Sequence, residues 1–368
     1  MVEVESICRI CFLKMDPDTA KKLFDVGATV VFLDVPQNTE VGIDMNVWRT
    51  GDKFKGLKMI PPGLHMLHYS AVGKESMAAP RTSFFHFFGE GEILVRKWDP
   101  VTETLKEVSD DDKDRIKSNK EELDRFLGAF PYDTWKKWYA LTSHVSEEIM
   151  KRVQPVSEML CSASLLEADE EQPKFDAAGS SSEERMLPKM HLKSGTELRF
   201  TALPSALCLE NASPEFRTAY SLDSSLRLEK MLEGSMAPSQ LLGELQVAFV
   251  SFLVGHVYDA FEHWKKLVHL FCTCDVALRR YPDMFLQLLT CMHYQIQEVP
   301  EDFFTDIISK ENFLVHTLHI LFTNLEEEDV PTGLRQRGML FRQHLMQKFK
   351  WDFSEEPDEY APTIVDAE

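Results

Sequence analysis

Two hydrophobic periods share this chain. Between residues 29 and 98 the apolar residues fall in five short runs: TVVFLD (29–34), LKMI (57–60), LHMLHYS (64–70), TSFFHFF (82–88) and EILVRKW (92–98). They are rich in β-branched and aromatic residues and are punctuated by Gly, Pro and Asn, which predicts short antiparallel strands. Several runs are apolar on both faces, as in packed layers rather than one solvated sheet. After Ser109 the apolar residues recur at three- and four-residue steps, the spacing of helices. A chain of 368 residues has room for two domains. The expected fold class is α+β. It joins an N-terminal β-rich, sandwich- or barrel-like domain with appended helices to a C-terminal all-α domain.

The boundaries follow from where the pattern changes. Residues 1–14 read as an extension. A helix starts near Met15, with Asp16 as N-cap and Pro17 at the first helical position, and stops at Gly27. The β-rich domain runs over 15–160 and carries helices at 110–153. One helix is expected over 110–127. A second, over 132–153, places Trp135, Trp138, Leu141, Val145 and Ile149 on one stripe. Residues 161–194 have little periodicity and an acidic bias, the composition of a disordered linker. Within it Ser180 and Ser181 each have a Glu three residues on, the pattern of an acid-directed kinase site, which chance also supplies in such a stretch. GTELRFTALP (195–204) looks strand-like and opens the helical domain, 195–350. The apolar stripe of 242–271 is divided at Gly255, and a helical hairpin is favoured there over one long helix.

Charge and cysteine content exclude several classes. The formal net charge is −20. Nucleic-acid binding draws on Lys and Arg contacts to phosphate, so direct nucleic-acid binding is not expected. A basic protein surface is the better complement. The longest strongly apolar run, 247–254, is far shorter than a membrane span. Residues 1–11 hold acids and no long apolar core, so no secretory signal and no membrane attachment are expected. Seven cysteines, an odd number, suit free thiols in a reducing, intracellular compartment.

Candidate chemistry is sparse. His65 and His68 follow the stiff corner Pro61-Pro62-Gly63. A strand turns residues an odd number apart to opposite faces, so the two cannot share one ion, and both are expected to be structural. Cys8 and Cys11 are spaced as half a zinc site, but no second such pair exists; His269, Cys272 and Cys274 sit on an apolar helix end. Nucleophile elbows, phosphate loops, H-E-x-x-H and dinucleotide fingerprints are missing. No enzyme, metal or cofactor is expected; a metal-dependent hydrolase and an RNA-binding adaptor are the rival readings. The last helix carries Arg335, Arg337, Arg342, Lys348 and Lys350 and no acid over 334–350. Either this complements the helix C-terminus or it is a docking patch for an acidic partner. The tail WDFSEEPDEYAPTIVDAE (351–368) is acidic and broken by prolines, with Trp351, Phe353, Tyr360, Ile364 and Val365 as spaced apolar anchors. Such a segment suits addition to a partner's sheet edge, or folding back on its own domain.

MDPDTAKKLF, GATVVFLDVP, EVGIDMNVW, KFKGLKMIPPGLHMLHYS, LGELQVAFVSFLVGHVYDAFEHWKKLVHL and KFKWDFSEEPDEYAP together resemble the Aar-two splicing factor family, the A1-cistron splicing factor homologues. The resemblance spans Met15 to about Pro362 and is weak only in the linker; residues 1–14 have no counterpart in it. It implies a monomeric assembly factor of the U5 small nuclear ribonucleoprotein. Such a factor binds the large scaffold protein of that particle (Prp-eight) at its ribonuclease-H-like and MPN-type domains. The resemblance further implies that the factor delays binding of the particle's helicase in a cytoplasmic precursor. Replacement by that helicase follows in the nucleus, with phosphorylation assisting release.

Overall fold

The computed structural model describes residues 17–73, 78–163, 166–168, 190–192, 195–204, 213, 223–233, 237–299 and 313–353. Two compact units share the chain. The first holds Met1–Trp138, Met150–Arg199 and Val254–Tyr258; the second holds Tyr139–Ile149, Phe200–Leu253 and Asp259–Glu368. The unit boundary is therefore crossed several times, not once in a linker.

The first unit opens with α1 (Pro17–Val26), whose first residue is the expected proline. Gly27 ends it, its N–H donating to the Leu23 carbonyl at 2.8 Å. A Cβ there would lie 2.7 Å from the Met59 Cα, so only glycine lets the chain pass so close. Described strands follow: β1 (Ala28–Leu33), β2 (Glu40–Ile43), β3 (Asn46–Arg49), β4 (Gly56–Ile60), β5 (Gly63–Ser70), β6 (Thr82–Phe88), β7 (Ile93–Asp99), β8 (Thr104–Glu107), β9 (Leu127–Ala129) and β10 (Leu160–Cys161). They form two five-stranded sheets, β8-β7-β1-β4-β9 and β10-β6-β5-β2-β3.

The all-antiparallel expectation is corrected here. β1 pairs parallel with β7, and β4 parallel with β9. The chain leaves the first sheet for β5 and β6 of the second, then returns beside β1 running the same way. A parallel pair needs such a crossover, and here the other sheet supplies it. Val30 and Phe32 of β1 share one core with Ile43, Leu67, Tyr69 and Phe84 of the second sheet, as in a sandwich. The alternate residue Val31 packs with Val95 and Leu127 on the other face, under Ile116 of α2 (Asp110–Ser118). Both faces of β1 are covered, which is why its run is apolar throughout.

Two helical expectations are also corrected. α2 ends at Ser118, a short helical turn follows, and Leu127 already begins β9. The expected single helix over 132–153 is two, α3 (Tyr132–Thr142) and α4 (Glu147–Val153). Val145 folds back, its N–H bonding the Thr142 carbonyl. The Ser146 hydroxyl then accepts the Ile149 N–H at 3.3 Å, a cap that starts a new helix. Within 161–194, Leu166–Ala168 (β11) pairs antiparallel with Met190–Leu192 (β12), so regular structure occurs where none was expected. Ser180 and Ser181 lie outside the described residues, as do residues 1–14 with Cys8 and Cys11.

The described part of the second unit is helical: α5 (Ser225–Glu233), α6 (Pro238–Leu253), α7 (Tyr258–Cys272), α8 (Val276–Arg280), α9 (Pro282–Glu298), α10 (Phe313–Glu326) and α11 (Thr332–Phe349). Residues 195–204 form no strand, contrary to their strand-like pattern. α6 and α7 are the two arms of the expected hairpin. Phe252 stacks on Phe261 with ring centroids 4.4 Å apart, and Phe249 meets Trp264 at 5.6 Å.

Candidate functional site

His65 and His68 occupy β5 and face opposite ways, as their spacing requires. Both are buried. His65 turns into the sandwich core, edge-on to Phe88 and Phe130. Its Nε2–H donates to the Pro61 carbonyl at 2.8 Å, and its Nδ1 lies 2.7 Å from Asp44 Oδ2, so one hydrogen bridges that pair. Asp44 sits in the two-residue connection of the β2–β3 hairpin, in the left-handed backbone region at φ 54°. Its other oxygen accepts the Met66 N–H at 3.0 Å, and its own N–H donates to the Met66 carbonyl at 2.8 Å. Burial raises the Asp44 pKa above its ordinary value, against the lowering effect of His65. His68 Nε2–H donates to the Asp44 carbonyl at 3.2 Å, and its ring lies over Gly42, where a Cβ would collide with it. These histidines pin a hairpin to its neighbouring strand.

His68 carries a pH consequence. Burial, with Arg81 nearby, lowers its pKa from 6.5 to about 3. The unfolded chain therefore takes up a proton that the folded ring refuses. Stability from this group is complete above pH 6.5 and is lost as pH falls, by about 2 kcal/mol between pH 6.5 and pH 5. Asp44 works in the opposite sense, because its raised pKa makes the folded state hold a proton longer as pH rises. The difference between the parent chain and His68→Gln isolates the histidine. In urea unfolding across this range, the variant should lose less stability on acidification. Equal slopes for the two chains would contradict this assignment.

In the second unit the sequence motif around Gly243 becomes a clasp. Glu244 is fully buried in the apolar helix α6. Its Oε1 accepts the Thr201 N–H at 2.8 Å and His263 Nε2–H at 2.9 Å; its Oε2 accepts the Thr201 hydroxyl at 2.7 Å. The His263 ring stacks on Phe200 at 4.1 Å, with the planes 5° apart. Gln246 accepts the His144 N–H at 2.8 Å and donates to the Ala140 carbonyl. Gly243 faces the same segment: a Cβ there would lie 2.4 Å from the His144 carbonyl oxygen. Asp44 and Glu244 were not singled out from sequence. Glu244 had a signal, a carboxylate set inside an apolar run; Asp44 had none, since its partners lie on another strand.

The C-terminal anchor completes the unit. Lys350 ends α11 in the left-handed conformation, φ 60°. Trp351 stacks on Phe349 at 4.9 Å and is half-buried. Phe353 is buried and meets Phe322 edge-on at 5.0 Å. The Phe353 carbonyl accepts Arg342 Nη2–H at 2.9 Å and His319 Nδ1–H at 3.1 Å. Of the residues expected to meet a partner, Phe353 thus fills its own unit's core, and Tyr360, Ile364 and Val365 lie outside the described residues. The basic residues of α11 divide. Arg342 pairs with Glu326 at 2.6 Å, Arg335 donates to the Glu328 and Val330 carbonyls, and Lys348 lies over the Phe349 ring.

No constellation for catalysis comes together among the described residues. No three His, Cys, Asp or Glu residues there are arranged to hold a metal ion. Cys272 and Cys274 are buried, and burial pushes both thiols up, away from the reactive thiolate. A cleft of about 490 Å³ in the first unit is lined by hydroxyls, among them Ser70 and Thr82, together with Lys106 and Cys161; no histidine lines it. No described helix is long and apolar enough to cross a membrane.

A β-sandwich unit and a helical unit, each tied together by buried His–carboxylate contacts, define a two-domain α+β protein. Residues 26–155 match the family model described as the AAR2 N-terminal domain, and residues 200–354 match the AAR2 C-terminal repeat region. The Protein AAR2 homolog of Homo sapiens is 39% identical over 373 residues, covering 96% of this chain and 97% of that protein. That of Caenorhabditis elegans is 34% identical over 362 residues, covering 92% and 98%. The A1 cistron-splicing factor AAR2 of Saccharomyces cerevisiae is 24% identical over 366 residues, covering 92% and 97%. The chain belongs to the AAR2 family.

Proposed function

We propose that this chain is a non-enzymatic assembly factor in pre-mRNA splicing. It binds the large scaffold protein of the U5 particle at the ribonuclease-H-like and MPN-type domains and delays binding of the particle's helicase until nuclear maturation. The observation that carries this reading is the match to relatives over nearly the full chain, one of them named a splicing factor. The site chemistry is consistent with it: buried polar residues serve packing, and the chain is strongly acidic. In this reading the chain acts as a monomer, works in both cytoplasm and nucleus, and uses no cofactor. The tail beyond Phe353 supplies the partner-binding element, with Trp351 and Phe353 fixing its root and Tyr360, Ile364 and Val365 as its contacts. Phosphorylation at Ser180 or Ser181 assists release.

Affinity capture of the tagged full-length chain from cells of its source tests this reading. The U5 scaffold protein should be the main bound partner. Ending the chain after Ser354 should weaken its binding at least tenfold and leave the melting temperature of the free protein unchanged. Capture of RNA without the scaffold protein would overturn the reading, and full affinity after truncation would remove the tail from it.

A further inference from the structure

Of the arginines on α11, Arg335 and Arg342 are engaged, by carbonyls and by Glu326. Arg337 is exposed and has no acid or carbonyl partner among the described residues. It opens a stripe, Arg337, Leu340, Phe341 and His344, that recurs at three- and four-residue steps and so shares one helix face. On α9 the matching stripe is Leu289, His293 and Gln297, at four-residue steps. The two stripes meet: the His293 ring lies 4.8 Å from that of His344 and 6.3 Å from that of Phe341. Gln297 Nε2 lies 2.9 Å from His293 Nε2 and 3.3 Å from His344 Nε2. Its two amide hydrogens serve both rings, which then carry their own N–H on Nδ1.

Leu289, His293, Arg337, Leu340, Phe341 and His344 line a recess of about 190 Å³. Its walls are thus half apolar and half basic. Burial holds the His293 pKa down, and His344, Arg337 and Lys348 lower it further, with no carboxylate acting against them. Positive charge is gathered at one seam of a chain whose formal net charge is −20. An anion is the complement of such a seam. The volume is that of about six water molecules at roughly 30 Å³ each. It falls short of the roughly 300 Å³ at which sites for drug-sized ligands begin, which excludes a nucleotide. One charged group with a small apolar neighbour fits. A phosphate monoester offers three acceptor oxygens and close to two charges at pH 7, where a carboxylate offers two oxygens and one charge. We propose that this recess binds the phosphate of a small monoester. Arg337 grips two of its oxygens, ring N–H groups of His293 and His344 meet the third, and Leu289, Leu340 and Phe341 receive the organic part. The inference is independent of the assembly role.

A phosphorylated side chain and a free small ester share this chemistry, and the test separates them. The full-length chain, with its leucine methyls labelled, is titrated with phenyl phosphate at constant ionic strength and followed by NMR. The Leu289 and Leu340 methyl signals should shift saturably. Arg337→Gln should weaken binding at least about tenfold, the scale of one lost charge-assisted hydrogen bond. Its melting temperature should stay within about 2 °C of the parent, because the side chain is exposed. His344→Gln should weaken binding by a smaller factor. Arg280→Gln makes the same charge change at an exposed site on α8 and should leave the affinity within about twofold. Binding unchanged by Arg337→Gln, or weakened as much by Arg280→Gln, would overturn the site. Shifts that never saturate would do the same. Benzoate bound as tightly as phenyl phosphate would overturn the assignment to phosphate. A phosphotyrosine peptide with apolar neighbours identifies the source. Binding about tenfold tighter than phenyl phosphate places the phosphate on a protein, and equal or weaker binding places it on a small ester. Both results support the phosphate site.

Discussion

Asp44→Ala is expected to destabilise the sheet region of the first unit by about 3–5 kcal/mol, the range for removing one partner of a buried pair. The side chain is an acceptor for the Met66 N–H and the bridging partner of His65 Nδ1, both in the interior. Alanine leaves both buried groups without that partner. The backbone adds a smaller cost, because residue 44 sits at φ 54°, which Asp tolerates better than Ala. A melting temperature reports on the chain as a whole and does not locate the loss. Hydrogen exchange of the β2, β3 and β5 amides is the sharper measurement and should accelerate by a factor of at least 100, with the helices of the second unit unaffected. Asp44→Asn keeps an acceptor for Met66 and should cost less than half as much. Exchange in the alanine variant within tenfold of the parent would show that Asp44 does not hold the hairpin.

That residue marks where sequence reasoning stopped. Period-two reasoning placed His65 and His68 on opposite faces, and they are; it also excluded a shared ion. It could not name Asp44 as the partner. The contact depends on β2 pairing with β5, which no local pattern states. β6 was legible to the residue, and β1, β4, β5 and β7 to within one or two, because their runs are aromatic or β-branched. EVGI, NVWR, TLKE and LGA (β2, β3, β8 and β9) are three or four residues long and hold Gly or charge, so they lacked a signal. The parallel pairs are set by long-range order of the chain, and local composition is silent about that. The α6–α7 hairpin at Gly255 was legible, since a glycine divided one stripe into two. The break at residues 143–146 was not, because Val145 continues the stripe in spacing although the backbone turns there. The anchor at Phe353 was half legible. Its place next to the last helix allowed a core role, and the packing on Phe322 gives it one.

Glu244→Ala should be the most damaging change in the second unit. Glu244 has no exposed surface and accepts hydrogen bonds from the Thr201 N–H, the Thr201 hydroxyl and His263, among others. These tie an irregular segment to α6 and fix the ring on which Phe200 stacks. Loss of a buried carboxyl bonded in this way costs about 3–5 kcal/mol. The side chain fills space between α6, His263 of α7 and the Thr201 segment, so a cavity there adds to the cost. Glu244→Gln distinguishes the two parts. It preserves volume and one oxygen acceptor, but its amide N–H groups meet donors, so it should cost roughly 2 kcal/mol. Hydrogen exchange in α6 and α7, with limited proteolysis near residues 200–204, reports both variants on the intact chain. Alanine should expose that segment to cleavage and raise exchange at least 100-fold in α6; glutamine should give a smaller rise and little cleavage. If alanine and glutamine behave alike, the volume effect is refuted. If alanine leaves cleavage and exchange at the parent rate, the segment is held by its apolar contacts alone, and Glu244 is a buried acid without a structural task.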